Sequence, residues 1–255
     1  MNQLTVITTC YNEAHNMRDL LESVKWADEI MVVDSYSTDE TLEIAREYTD
    51  FILQRKYTTP ANQKNWAIPQ ATHEWILLLD ADERVTSALR EEVLQTIESQ
   101  PKEAAFWIGR KNYFMEKRVR YSGWQNDAVI RLFKRDDCQY DNKAVHEEIE
   151  TEGKVGRLKT KLIHNTYKDM AHFLEKMRRY ARLSAQDYSK KTPRVTLYHL
   201  WLKPAFRFFK HYILKLGFLD GKVGFIISVI MAWGVFLRYL NIMENSKKQI
   251  PNSKK

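Results

Sequence analysis

Glycine is missing from the first 108 positions of this 255-residue chain, which reaches its first, Gly109, only after several apparent strand-to-helix turns. That excludes the usual phosphate cradles, because a GxGxxG turn or a P-loop needs glycines to bring backbone amides onto phosphates. Cysteine is nearly absent too. Cys10 and Cys138 form neither a CxxC pair nor a metal pattern, and the opening MNQLTVITTC lacks a basic-then-apolar leader, so a reducing cytoplasmic setting is expected. Acids are scarce in one part only. Residues 157–255 hold five acids against 21 basic residues, net +16, whereas residues 1–156 hold 28 against 19, net −9. A basic region of this kind suits an anionic partner, either nucleic acid or a membrane surface.

At 44% hydrophobic the chain can bury a full core of one or two domains. LTVITTCYNE and HNMRDLLESVKWA form a strand-then-helix unit, the helix spaced through Met17, Leu20, Leu21 and Val24. EIMVVDSYSTDETLEIAREY repeats it, with Asp34 at the strand end and a helix cap expected at Ser37 or Thr38. FILQRK reads as a short strand, NQKNWAIPQA as a short helix stopped near Pro69, and EWILLL as a strand buried on both faces. Strands alternating with helices predict a largely parallel sheet covered on both sides. From Ala104 onward, AFWIGRKNYFMEKRVRYSG and DAVIRLFKRDD read as longer strands that extend it antiparallel.

The stretch WILLLDADERV places Asp80, Asp82 and Glu83 directly after that buried strand, where open α/β sheets hold ligands. The plain alternative is a helix start, since acids favour a first turn and SALREEVLQTIES follows. Glu13 as a helix-start acid and Asp34 as a turn residue have similar alternatives. Jointly, acids at three strand ends favour a site. Without glycine cradles, a nucleotide there would be held by side chains and a divalent cation bridging carboxylate and diphosphate oxygens.

The ordered set TTCYNE, VVDSYSTDET, NQKN and LLLDADE resembles the family 2 glycosyltransferases, which have the GT-A nucleotide-sugar fold. RLFKR, AVHEE and GFLDGKVG extend the likeness over residues 3–240, toward the bacterial branch that adds glucose to the lipopolysaccharide inner core. The resemblance implies an α/β GT-A domain over residues 1–168; the residues themselves give a basic helical membrane-associating region over 169–245 and, from the polar end ENSKKQIPNSKK, a disordered tail over 246–255. The resemblance also implies that Tyr11, Asn12 and Glu13 line the base and ribose pocket and that Asp34 reaches uracil or ribose. Lys64 would face the pyrophosphate. Asp80 would hold ribose or assist the metal, Asp82, beyond Ala81, would be the main ligand of Mg²⁺ or Mn²⁺, and Glu147 would be the base, with His146 either taking that role instead or contacting the diphosphate or the metal. His15, His73 and His164 read as structural. The implied reaction is inverting, from UDP-glucose to a lipopolysaccharide-core or other lipid-linked acceptor.

DMAHFLEKMRRYARLSAQDYSKK reads as a helix with Met170, Phe173, Leu174, Met177, Ala181 and Ser184 on one face. LKPAFRFFKHYILKLGFLDG then interleaves aromatics with cations, and Val223 to Leu237 is uncharged over fifteen residues. A spanning helix needs about 20, so a helix at the membrane interface is expected, with a packed or dimer helix as the alternative. This gives peripheral association with the inner face of the cytoplasmic membrane and no nucleic-acid partner. Among rival functions, a sugar nucleotidyltransferase lacks its glycine-rich loop here. A nucleic-acid-binding module lacks a polar basic groove. A receiver domain would not use this length.

Overall fold

The computed structural model describes residues 3–141, 147–167 and 169–248. His146, one of the two candidate bases, lies outside the described residues. The chain divides into two compact units, one of Met1–Lys111 with Asp127–His164, the other of Asn112–Asn126 with Asn165–Lys255.

In the first unit β1 (Leu4–Cys10), β2 (Glu29–Asp34), β3 (Ile52–Gln54) and β4 (Trp75–Asp80) lie parallel in the order β3-β2-β1-β4. The helices α1 (Ala14–Val24), α2 (Thr41–Arg46) and α3 (Pro60–Ala67) connect them. β1 and β4 are buried along nearly their whole length, threonines of β1 included, because successive side chains point to opposite faces and both faces are covered. Leu4, Val6, Leu77 and Leu79 pack with Met17, Leu20, Leu21 and Val24 of α1, the spacing the sequence gives. Ile7, Ile76 and Leu78 pack on the other side with Ala61 and Ala67 of α3.

After β5 (Glu83–Arg84) and α4 (Ser87–Glu98) the sheet turns antiparallel through β6 (Glu103–Phe114), β7 (Lys117–Arg118) and β8 (Ala128–Lys134). β9 (Gln139–Tyr140) and β10 (Ile149–Glu150) form a small hairpin, and β11 (Lys154–Tyr167) returns to the main sheet. The order is β3-β2-β1-β4-β8-β6-β11-β5, with β7 on β6. The expected mixed sheet flanked by helices is present, but it is not mostly parallel: only β1 to β4 pair in parallel, whereas the β4-β8, β8-β6, β6-β7 and β11-β5 pairs are antiparallel.

Three local expectations change. α2 begins at Thr41, so neither Ser37 nor Thr38 caps it: the Asp39 carboxylate accepts from the amide and hydroxyl of Thr41, and Ser37 donates to Asp34 instead. The fourteen-residue β11 is a strand the sequence reading missed, although Leu158 and Leu162 alternate inward along it. α4 is capped by Thr86, which accepts from the Leu89 amide, and has no acid in its first turn. The carboxylates of DADE are thus not helix-start residues.

The second unit holds α5 (Met170–Ser189), a helical stretch over 198–214 containing α6 (Lys203–Phe209), and α7 (Gly221–Lys248). Phe173 of α5 packs with Ile227 and Ile230 of α7. Ala185 packs with Val235, Tyr239 and Ile242. Ile242 carries the packing past Leu237, and α7 continues to Lys248, three residues into the stretch expected to be disordered. Asn112–Asn126 belongs to this unit because Asp220 accepts from the amides of Arg120 and Tyr121 and from the Ser122 hydroxyl, at 2.8–2.9 Å.

The GFLDGKVG motif owes its glycines to the same junction. A Cβ on Gly224 would stand 1.8 Å from the Gly217 carbonyl oxygen. Alanine normally gains about 1 kcal/mol over glycine inside a helix. Here the obstruction is backbone, so Gly224→Ala is expected to lose about 1–3 kcal/mol in denaturant unfolding. Gly234→Ala, which meets only the flexible Met177 methyl at 3.1 Å, should stay within about 1 kcal/mol of the parent.

Candidate functional site

The chain moves outward from β1 to β2 and β3, then returns to β4 on the far side of β1, so a topological switch point lies between β1 and β4. Cys10 pairs in register with Asp34, and Thr9 with Asp80. Tyr11–Glu13, Asp34 and Asp80–Asp82 therefore sit at the same ends of three adjacent parallel strands.

The first two loops hold each other. Asn12 has a positive φ of 54°, its amide donates to Ser37 Oγ, and its Oδ1 accepts from the Thr38 amide at 2.8 Å. The Glu13 amide donates to Thr41 Oγ1, while its carboxylate accepts from Asn16 Nδ2 at 2.8 Å. Asp34 is fully buried, accepting from Ser37 and from Gln54 Nε2 at 3.0 Å. Tyr11 and Tyr36 stay exposed beside them, Tyr36 at a positive φ of 63°.

The acids of DADE have three different fates. Glu83 is 0% exposed and accepts from Arg131 Nη2 at 2.9 Å, from Arg110 Nη1 at 3.3 Å and from the Asp80 amide at 3.1 Å. Arg110 also grips Asp127 through two bonds of 3.0 and 2.7 Å. Asp80 takes Arg131 on one carboxylate oxygen and has Lys64 Nζ 3.5 Å from the other. Burial would raise the Asp80 carboxyl, but Arg131, then Lys64 and Arg110, hold it far below the usual carboxylate range. Asp82 points away from this cluster, its Oδ2 3.4 Å from His164 Nε2. Ala81 lies buried between them, its carbonyl accepting from Arg84 Nη1 at 2.7 Å.

α3 supplies the next layer. Thr59 accepts from the Asn62 amide and Pro60 sits in the first turn, which fixes where the helix starts. Lys64 is consequently buried rather than exposed, donating to Glu147 Oε1 at 2.8 Å across 83 positions and standing 4.9 Å from the Tyr140 ring. Burial would lower its ammonium, yet Asp80, Tyr140 and Glu147 raise it above the ordinary lysine value. Asn65 exchanges two bonds with the Tyr140 backbone, at 2.8 and 2.7 Å. Asp141 Oδ1 accepts from the Glu148 amide at 3.1 Å, and the Asp141 amide donates to the Glu148 carbonyl. The KN pair thus holds both the β9 end of this hairpin and Glu147.

Of the residues expected at a site, the structure brings together Lys64, Asp80 and Glu147, with Asp82 adjacent in the turn. Tyr11, Asn12, Glu13 and Asp34 stand at the two neighbouring strand ends. The sequence reading missed Glu83, Arg131, Arg110 and Asn65 as the groups holding them, and it set His164 aside as structural. RLFKR carried the signal for Arg131, since an arginine inside a buried strand needs an acid. β5 and β11 carry the other: their register pairs His164 with Glu83, next to Asp82.

Acids at the ends of adjacent parallel strands, with a buried cation between Asp80 and Glu147, stand where an open α/β sheet holds its ligand. Residues 5–154 match the model of glycosyl transferase family 2, and the chain belongs to that family. It is 26% identical over 250 residues to the lipopolysaccharide core biosynthesis glycosyltransferase LpsC of Rhizobium meliloti, covering 92% of this chain and 93% of that protein. An uncharacterized glycosyltransferase of Rickettsia felis is 24% identical over 97% of this chain and 92% of its own length. Among solved structures, S. aureus TarS 1-349 in complex with UDP-GlcNAc is 15% identical at a TM-score of 0.47, covering 97% of this chain and 92% of that one.

A buried pair broken on one side leaves an uncompensated charge, which costs about 3–5 kcal/mol. Glu83→Gln and Arg131→Met should each destabilise the chain by about that much in denaturant unfolding. The double variant should be less destabilised than the sum of the two, by at least about 1 kcal/mol of coupling. Additive losses would show that the pair does not act as a unit.

Proposed function

We propose that this family 2 glycosyltransferase is a metal-dependent, inverting hexosyltransferase. It moves glucose from UDP-glucose to a hydroxyl of a lipopolysaccharide-core or related lipid-linked acceptor, at the inner face of the cytoplasmic membrane. The observation that carries this reading is the convergence of Lys64, Asp80 and Glu147 beside Asp82 at the switch point. LpsC, matched along nearly its whole length, supports the acceptor class. The glucosyl unit follows from the resemblance of the motifs to the glucosyl-adding branch. The cations of the C-terminal third serve a lipid surface in this reading rather than a nucleic acid.

The residues present fit a divalent cation. Asp82 and His164 offer a carboxylate oxygen and an imidazole nitrogen 3.4 Å apart; the mixed pair suits Mn²⁺, whereas Mg²⁺ would be held by the carboxylate alone. Among the described residues no three His, Cys, Asp or Glu gather into a metal cluster, so the diphosphate and water would complete the shell. When bound, the ion supplies charge neutralisation for the leaving diphosphate. Asp80 would serve from the second rank, through its cations and toward the ribose.

The remaining chemistry belongs to the chain. The acceptor oxygen bonds to the anomeric carbon as the bond from that carbon to the diphosphate breaks, through an oxocarbenium-like state comparable to glycoside hydrolysis. Glu147 takes the hydroxyl proton, and UDP leaves with the electron pair. One displacement inverts the anomeric centre, so an α-linked sugar donor gives a β-linked product. Lys64 faces both sides of this reaction. Held between Asp80 and Glu147, its ammonium can turn to the diphosphate and release Glu147 for the proton.

Two variants separate the roles. Asp82→Asn should lower metal-dependent UDP release by about 100-fold or more and weaken Mn²⁺ binding, with unfolding unchanged. Glu147→Gln should keep sugar-nucleotide and metal binding while transfer falls by about 10²- to 10⁴-fold. If His146→Ala is inactive and Glu147→Gln is not, the base is His146. A panel of nucleotide sugars with the product linkage read by NMR tests the sugar and the inversion. Turnover that ignores metal would overturn the cation's role.

A further inference from the structure

The helical stretch Gly217–Ser246, which takes in most of α7, is long and apolar enough to cross a membrane, yet only 39% of its most apolar window is buried. One face is committed inside the unit: Ile227 and Ile230 meet Phe173 of α5, and Val235, Tyr239 and Ile242 meet Ala185. The opposite face leaves Phe225, Val229 and Trp233 exposed at four-residue spacing. The helical stretch 198–214 is more open still. Leu197, Trp201, Leu202 and Phe206 are 61–73% exposed, and Phe209 and Leu214 continue the stripe at 46% and 57%. A monomeric soluble surface rarely carries so much contiguous large apolar area without a partner.

The charges decide which partner. Residues 190–222 contain eight basic side chains and one acid, and Lys210, Lys215 and Lys222 are exposed beside the apolar stripe. Aromatic and aliphatic side chains edged by lysines fit the boundary between acyl chains and anionic headgroups. A second copy of the chain would set this strongly basic face against itself.

Crossing is disfavoured by α5. Because α5 is packed along α7, a spanning α7 would take the exposed Glu175, Arg178, Arg179, Arg182 and Asp187 of α5 into hydrocarbon, where each charge is costly. We infer that the outer stripes of 198–214 and α7 form a monotopic docking face for an anionic bilayer. α7 lies at the interface with one side in the protein and the other in the lipid. The inference deepens the membrane location proposed above and rests on it for its purpose, bringing a lipid-linked acceptor within reach.

The test uses the full chain and vesicles of phosphatidylcholine alone or with about 30% phosphatidylglycerol at physiological salt. Binding is expected to the anionic vesicles and to be released by alkaline carbonate. Trp201→Glu with Phe206→Glu should lower the bound fraction by about tenfold or more. Lys210→Gln with Lys215→Gln should weaken binding to anionic vesicles and flatten its salt dependence. Metal-dependent release of UDP without membranes should be unchanged in both. Should the glutamate variant not fold, the depth of Trp201 in the parent chain decides: quenching by lipid brominated near the headgroup supports the face. Equal binding by the glutamate variant, or no binding by the parent, overturns it. So does resistance to carbonate, which would mark a span, or a parent dimer that the variant turns monomeric without changing vesicle binding. Loss of UDP release in a parent chain that still binds vesicles would overturn the catalytic reading and leave this one standing.

Discussion

Glu83 is fully buried, and its carboxylate takes two atoms of Arg131, one of Arg110 and the amide of Asp80. An isolated charge at such a place would cost several kcal/mol, and the cations offset that cost only in this geometry. The turn after β4 is therefore fixed from inside. With Glu83 pointing in, Ala81 is buried, Asp82 is turned out, and Asp80 shares Arg131 with Glu83. The same residue lies on β5, whose pairing with β11 sets His164 opposite it and hence beside Asp82. One interior carboxylate thus places the two groups that, in the proposed reading, would hold the metal.

The charges around this turn do not balance. Lys64, Arg84, Arg110 and Arg131 face Asp80, Asp82, Glu83, Asp127 and Glu147, which leaves one carboxylate in excess. A diphosphate entering such a place meets repulsion from the acids unless a cation arrives with it. In the proposed reading this links metal and sugar donor: Asp82 is unfavourable to the diphosphate alone and favourable to the pair. It also explains why the cations are buried. They stabilise the fixed acids, and only Lys64 has a partner, Glu147, that the reaction would later require it to leave.

What could be read from the sequence was whatever depends on neighbours in the chain. The buried runs of β1 and β4, the spacing of Met17, Leu20, Leu21 and Val24, and the acids at strand ends are local patterns, and each marks a real element. The misreadings come from partners far away. Ser37 looks like a helix cap until Asp34 is seen to take its hydroxyl. Glu83 looks like the third member of an acidic turn until Arg131, 48 positions on, reaches it. Asn65 carries no signal of its own, because its role is to match the backbone of Tyr140, 75 positions on. The polar end is a smaller case: ENSKKQIPNSKK reads as disordered from 246, but α7, packed through Tyr239 and Ile242 against Ala185, continues to Lys248.

Lys64 shows why the family's likeness and the physics have to be read together. Arginine and lysine are not interchangeable at such a position. A guanidinium is a planar fork that suits fixed, two-point recognition of phosphate. An ammonium is a point charge on a flexible stem, with three donors free to redistribute. In this chain the position is enclosed by Asp80, Glu147 and the Tyr140 ring, with Asn65 fixing that tyrosine's backbone. A fork would need two acceptors in one plane, and these partners come from separate elements. A lysine satisfies them in turn. In the proposed reading that freedom would let one cation hold the base before the sugar donor arrives and face the diphosphate afterwards, which a rigid fork bonded to either partner could do only by giving up its geometry.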